Sequence, residues 1–383
     1  MPGIRKPRKS NTRPAPDRSW TIMVFMVADA QLQGFAMACL EQMIAARPAK
    51  HFDVVVQQFF PFTEPERMLV KGDAGSGPLP VSSGPRNPGS PQVLSRFLRD
   101  ATEQFPASHY MLVLWGHALG FNFGHESDPT TALELARVLK EFSELRGRPL
   151  DVLGCDACRM SKIELAMLLR GSVDLIVASE TGIPLTSWPY KQILDAVSNK
   201  PAMSPEGLGR AIIDNYCARY KPRGVSLAML DLNHGAPVFN AVEGLAKTLL
   251  QAMDDRRELA NLSDAIKTTS RDDVEPMIDL QEFCEKLRKG TSNASVRTGA
   301  KQILQLLEPP FIAKQGRSGP GVTHFRGVGI YVPRVLYDPA FGNVQVRKFF
   351  KWETPQFDLG TTWTQVIQRL VAGQISASQH SDS

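Results

Sequence analysis

At 383 residues, with 43% hydrophobic and 22% charged side chains, the chain has the composition of a globular protein with a sizeable core. That excludes collagen-like, coiled-coil and wholly disordered architectures. Its 44 basic against 39 acidic residues leave a net charge of +5, too small and too dispersed to announce a nucleic-acid-binding protein. The length predicts two or three domains, or one large α/β domain with an appendage.

The first stretch, residues 1–19, holds Arg5, Lys6, Arg8, Lys9, Arg13 and Arg18 against Asp17, with no apolar run. Such a composition cannot bury a core, so a disordered basic arm is expected. It would serve as a tail or contact site; contact with nucleic acid or an anionic membrane would show as a steep salt dependence of binding. The first apolar stretch, Trp20–Val27, reads as a core strand instead of the apolar region of a secretory signal. No segment reaches the roughly 18 apolar residues of a membrane-spanning helix, and a cytoplasmic location is expected. The cysteines Cys39, Cys155, Cys158, Cys217 and Cys284 are sparse and odd in number, against a secreted disulfide framework. Free thiols are expected.

Short β-branched runs then alternate with helix-length amphipathic segments. The series predicts strands at Thr21–Val27, Phe52–Phe60, Arg67–Lys71, Tyr110–Trp115, Leu150–Gly154 and Val173–Ser179. Helices are expected at Leu32–Ala46, Val93–Gln104 and Thr130–Leu145, with another starting near Cys158. Residues 72–92, rich in Gly, Pro and Ser, read as a mobile surface loop. Strands joined by helices pair in parallel with helices on both faces, and ligands gather at the carboxyl ends of the strands. The second half is more helical, with helices at Pro205–Tyr220, Ala236–Ala260, Asp279–Lys289 and Ser295–Leu307, and strands at Ser226–Leu232 and Gly327–Pro333. The organisation expected is a core over 20–225, a helical region with extra strands over 226–373, and a frayed tail over 374–383.

Two strand ends each deliver a reactive residue: His117 after YMLVLWG and Cys158 after LDVLGCDA. A thiol becomes a strong nucleophile when an imidazole takes its proton, and a helix N-terminus further stabilises the thiolate. By spacing alone the pair reads equally well as a buried inert cysteine and a structural histidine.

The stretches TIMVFMVADAQLQ, YMLVLWGHALGF, DVLGCDACRMSKIELA and VASETGIPLTSWPY, with IDLQEF and GVGIYVP, carry a resemblance covering Trp20 to Pro333. The chain resembles the clostripain-like cysteine peptidases, relatives of caspases, gingipains, legumain and separase. The resemblance implies a caspase-like α/β fold, with a mostly parallel sheet flanked by helices. It also implies endopeptidase activity on peptide or protein substrates, with His117 as general base and Cys158 as nucleophile. The backbone N–H groups of Cys158 and Ala118 would stabilise the oxyanion. The family has Gly where Ala118 stands, which also leaves room for an inactive, caspase-like binding or regulatory module.

In the family, acidic side chains in the primary pocket select Arg or Lys before the scissile bond. Asp156 keeps one of them. The second belongs to a Gly-Asp-Gly-Trp run, where this chain reads Leu185-Thr186-Ser187-Trp188. The resemblance thus implies a pocket of Asp156, Thr186 and Trp188 with a weakened basic preference. Tyr190 reads as a pocket wall or as loop packing, and Asp156 equally as a helix cap.

Cys155 forms a C-x-x-C with Cys158, which admits a thioredoxin-like dithiol or a resolving thiol, though a small core residue is the simpler reading. Glu164 and Glu180 match acidic positions of the family pattern and are expected to be solvated or to cap helices. One C-x-x-C supplies too few ligands for zinc, so no metal or other cofactor is expected, while some relatives require calcium. His234 and His125 read as decoys. Zymogen processing, known among relatives, would fall among Arg137, Lys140, Arg146 and Arg148, with Arg146 and Arg148 in the more accessible turn.

Overall fold

The computed structural model describes residues 18–47, 51–71, 76–81, 86–119, 122–124, 128–271, 276–333, 336 and 361–381. The basic arm up to residue 17 and His125 lie outside them. Strands β1 (Arg18–Val27), β2 (Phe52–Phe59), β3 (Glu66–Val70), β4 (Gly77–Leu79), β5 (Ala107–Gly116), β9 (Leu150–Asp156), β10 (Val173–Ala178), β11 (Val225–Asp231) and β13 (Ile312–Ser318) form one sheet. Its order is β13-β11-β10-β9-β5-β1-β2-β3-β4. The central five, β10 to β2, run parallel, and both margins are antiparallel. A three-stranded sheet of β6 (Ala118–Leu119), β7 (Asn122–Phe123) and β8 (Thr130–Thr131) follows β5 in the chain, and β12 (Met277–Asp279) pairs with β14 (Gly329–Tyr331).

The apolar runs of the parallel strands are buried on both sides, which is why they lack alternation. Period two still divides them. Met23, Phe25 and Val27 face a layer containing α2 (Pro91–Gln104), α3 (Ala132–Arg146), α4 (Ile163–Leu169) and the later helices. Ile22, Val24 and Met26 face α1 (Gln33–Ile44), α5 (Tyr190–Ser198) and α6 (Pro205–Arg219). The later helices are α7 (Gly235–Ala252), α8 (Arg256–Thr268), α9 (Leu280–Gly290), α10 (Ala294–Leu307) and α11 (Thr362–Ser381).

Several expectations are corrected. The single helix expected over Ala236–Ala260 is two, because Asp255 caps a new start by accepting the Arg257 N–H. Part of the expected loop over 72–92 is β4, which pairs with β3. The tail expected to fray from 374 continues as helix to Ser381. Strands β11 and β13, from the second half of the chain, extend the main sheet itself.

Candidate active site

His117 directly follows β5, and Cys158 stands two residues past the end of β9. The register pairs Trp115 with Asp156. Two residues beyond that pair stand His117 and Cys158, both at the carboxyl edge of adjacent parallel strands whose axes lie about 4.8 Å apart. Gly116 makes the turn, with φ at +148°. A Cβ there would come within 2.4 Å of the Val27 carbonyl oxygen, so only glycine lets β5 leave the sheet this close to β1.

The His117 ring is exposed, and its Nε2 lies 3.1 Å from Oδ2 of Asp29, two residues past β1. Asp29 is itself fixed: Oδ1 accepts the N–H groups of Gln31 and Leu32, each at 2.9 Å. Burial alone would raise the Asp29 carboxyl, but the Leu32 N–H, the His117 charge and hydrogen bond, and the Gln31 N–H bring it below its ordinary value. Three neighbouring strands thus deliver Asp29, His117 and Cys158 to one edge. Asp29 was missed in the sequence, although looking just past each strand end would have found it.

Cys158 is half-buried, and its Sγ accepts the Ile183 N–H at 3.3 Å. It does not begin a helix, as expected; α4 starts at Ile163. Between them runs a turn with Arg159 at φ +57°. The turn is tied to the end of β10 by Arg159 N–H to Thr181 and Ser161 N–H to Ser179, and to β14 by Gly329 N–H to Ser161. The N–H directed at the sulfur therefore comes from Ile183 and not from a helix terminus. Ala118 opens β6, opposite Phe123, while Gly124 donates to the His117 carbonyl at 2.9 Å.

Asp156 is 3% exposed. Its Oδ2 accepts from Ser187 Oγ, from Tyr190 OH at 2.7 Å and from the Trp188 N–H at 3.3 Å, whereas Oδ1 has no partner among the described residues. Burial pushes its carboxyl up to about 6 despite those three donors. Ser187 sits at φ +61° and also accepts the Trp115 Nε1–H at 2.7 Å. The Ser187 hydroxyl thus bridges the Trp115 indole and the Asp156 carboxyl. Trp188 is buried, and its ring lies over Gly154, where a Cβ would meet it at 3.0 Å. Thr186 is exposed and hydrogen-bonded to Tyr220 OH at 2.8 Å. Of the three expected pocket residues, two are therefore buried and one is at the surface.

Strand alternation sends Cys155 to the opposite core layer, fully buried, with its thiol pushed up to about 12 by burial and by the Asp156 charge. It packs as a small core residue and stays un-ionised at neutral pH. Glu164 and Glu180 are not solvated as expected; each is 1% exposed. They accept the backbone N–H groups of Tyr331 and Gly327 respectively. Glu180 also shares a hydrogen bond with Asp279 at the start of α9, where burial and the Asp279 charge raise it well above the ordinary range.

Because β11 is antiparallel, His234 beyond its end lies at the opposite sheet edge from His117. Arg146, expected in an accessible turn, is instead held by Asp151 at 3.1 Å with its guanidinium over the Tyr110 ring. It and Arg148 lie at the amino edge of the sheet, a strand length of about 20 Å from Cys158. Among the described residues, no group of three His, Cys, Asp or Glu side chains is placed to hold a metal ion, and no helix is long and apolar enough to cross a membrane.

The mostly parallel sheet between two helical layers is of the caspase-like class of α/β folds. The clostripain family model matches residues 24–308, and the chain belongs to that family of cysteine peptidases. The fold is similar to an inactive zymogen C11 protease from Parabacteroides distasonis: 17% identity, TM-score 0.67, covering 92% of this chain and 99% of that one. It is also similar to a secreted C11 cysteine protease from Bacteroides thetaiotaomicron in complex with an irreversible peptide inhibitor: 17% identity, TM-score 0.64, covering 89% and 99%. No curated protein sequence matches the chain.

Proposed function

We propose that the chain is a cysteine endopeptidase acting through Cys158 and His117. The observation that supports this reading is that neighbouring parallel strands, paired as far as Trp115 and Asp156, each lead within two residues to one of them. His117 takes the thiol proton, and Sγ adds to the scissile carbonyl. The oxyanion is held by the N–H groups of Cys158 and Ala118. His117 then gives its proton to the departing amine, the C–N bond breaks, and a thioester remains. Water, deprotonated by His117, releases the acid and restores the thiol. No cofactor enters these steps, and the five unpaired cysteines support a reducing, cytoplasmic setting.

Asp29 acts as a positioning residue in this scheme. Its carboxylate holds Nε2 of His117, leaving Nδ1 for the thiol, and it favours the imidazolium that forms. Asp29→Asn is expected to lower kcat about tenfold with little change in KM. The loss falls well short of the roughly 10⁴ seen for a buried triad carboxylate, because Asp29 is 30% exposed. A pH–rate profile of the variant that overlays the wild type would remove Asp29 from the mechanism.

The pocket chemistry supports a weakened preference for Arg or Lys before the scissile bond, since Thr186 carries no charge and three internal donors occupy Oδ2 of Asp156, leaving Oδ1 alone to meet a cation. Peptidyl acyloxymethyl ketones differing at the residue next to the warhead test both claims. Labelling is expected at Cys158, to depend on His117, and to differ by less than about tenfold between basic and neutral peptides. Strict Arg selectivity would sink the specificity reading. No labelling under any condition would favour a non-catalytic module.

A further inference from the structure

The carboxyl edge of the sheet continues past His117 and Asp29 into a cleft that the reaction steps above do not use. It has a volume of 380 Å³ and is lined by Val27, Ala28, Phe59, Phe60, Pro61 and Pro65 among others. Val27 pairs with Gly116, the residue before His117, and Ala28 precedes Asp29, so the cleft adjoins the candidate site directly. On its rim Arg86 pairs with Glu64, and the Asp128 carboxylate accepts from the neutral Asn87 amide, which leaves one net negative charge there. The loop after β2 also presents Phe62, fully exposed and at φ +60°.

We propose that this cleft binds the residue on the amine side of the scissile bond, and that it selects an uncharged, apolar side chain there. The inference rests on the Cys158–His117 reading. In that reaction the acyl half stays on the sulfur, on the β9 side, while the amine leaves from the imidazole, on the β5 side. The sheet order β9-β5-β1-β2 then carries the departing residue across β1 toward β2, where the cleft lies. Its apolar walls reward burial of an aliphatic or aromatic side chain, and they offer a charged one nothing in exchange for its lost hydration. The strained, exposed loop at Phe62 adds apolar surface beside the cleft.

Acyl transfer to added amines reads this subsite in isolation. A peptide p-nitrophenyl ester acylates Cys158, releasing p-nitrophenol. An amino-acid amide then attacks the thioester: the C–N bond forms, the C–S bond breaks, and the surplus amine proton passes through His117 to the sulfur. Leu-amide and Phe-amide are expected to capture the acyl group about tenfold better than Gly-, Glu- or Lys-amide, relative to water. Phe60→Ala and, at an exposed position, Thr63→Lys should each bring the Leu-amide advantage down toward the Gly-amide level. Labelling by a peptidyl chloromethyl ketone, which carries only chloride on the amine side, should stay as in the wild type. Equal capture of all five amides with normal Cys158 labelling would overturn the subsite and leave the dyad standing. Failure of both labelling and ester turnover would overturn the dyad, and the subsite with it.

Discussion

Replacing His117 by alanine is expected to lower kcat/KM for peptide hydrolysis by about 10⁴- to 10⁶-fold, with Cys158→Ala equally severe and the double variant no worse than either. The reason is cooperation: an unassisted thiol is a poor nucleophile near neutral pH, and an imidazole without its thiol has nothing to activate. Each residue is worth its full contribution only while the other is present, so the losses do not add. Structural collapse is not an alternative account of the His117 loss, because the ring is 46% exposed and supports no core packing. Steady-state rates on a peptide amide, with unfolding midpoints measured in parallel, decide the matter. Activity above about one per cent in His117→Ala would contradict the assignment of the general base.

The second large effect concerns stability. Burial is the chief cause raising Glu164 from 4.5 to about 7, against the opposing Tyr331 N–H and Lys162 charge. Asp156 and Asp279 are likewise raised, each to about 6. A carboxyl whose value is raised on folding stays protonated in the native state over a range where the unfolded chain has already ionised. Its stabilising contribution is therefore complete below about pH 4 and is lost as the pH climbs toward 7. Thermal unfolding midpoints should fall between pH 5 and pH 8. For Glu164 the difference is on the order of 3 kcal/mol. Glu164→Gln, neutral at every pH, should keep most of that stability at pH 8 and flatten the dependence. A variant whose midpoint falls with pH as steeply as the wild type would refute the role of Glu164.

What the sequence disclosed follows from how each feature is encoded. Buried parallel strands such as Tyr110–Trp115 are written as unbroken apolar runs, so the sheet and the strand ends bearing His117 and Cys158 were legible. Strand β13, Ile-Ala-Lys-Gln-Gly-Arg-Ser, is a half-exposed edge with no apolar alternation, and nothing in its composition distinguishes it from a loop. The turn between Cys158 and α4 is held by hydrogen bonds to Ser179, Thr181 and Gly329, partners distant in sequence, so a helix pattern seemed to start too early. Asp156 was legible as an acid near the nucleophile. Its enclosure depends on Ser187 adopting positive φ beneath the strand edge, which no local pattern reveals. Glu164 and Glu180 misled for the same reason: their partners, Tyr331 and Gly327, lie 167 and 147 residues away.

Those long-range bonds bear on the order of synthesis. The nascent chain carries both His117 and Cys158 well before the segment around Gly327–Tyr331 is made. Yet the Ser161 carbonyl, Glu164 and Glu180 each take a backbone N–H from much later in the chain, at Gly329, Tyr331 and Gly327. Until that late segment leaves the ribosome, buried carboxylates beneath the nucleophile turn lack the N–H groups that seat them, and the turn lacks its second support. A nucleophile turn supported this way is complete only once the segment from Gly327 to Tyr331 has been made.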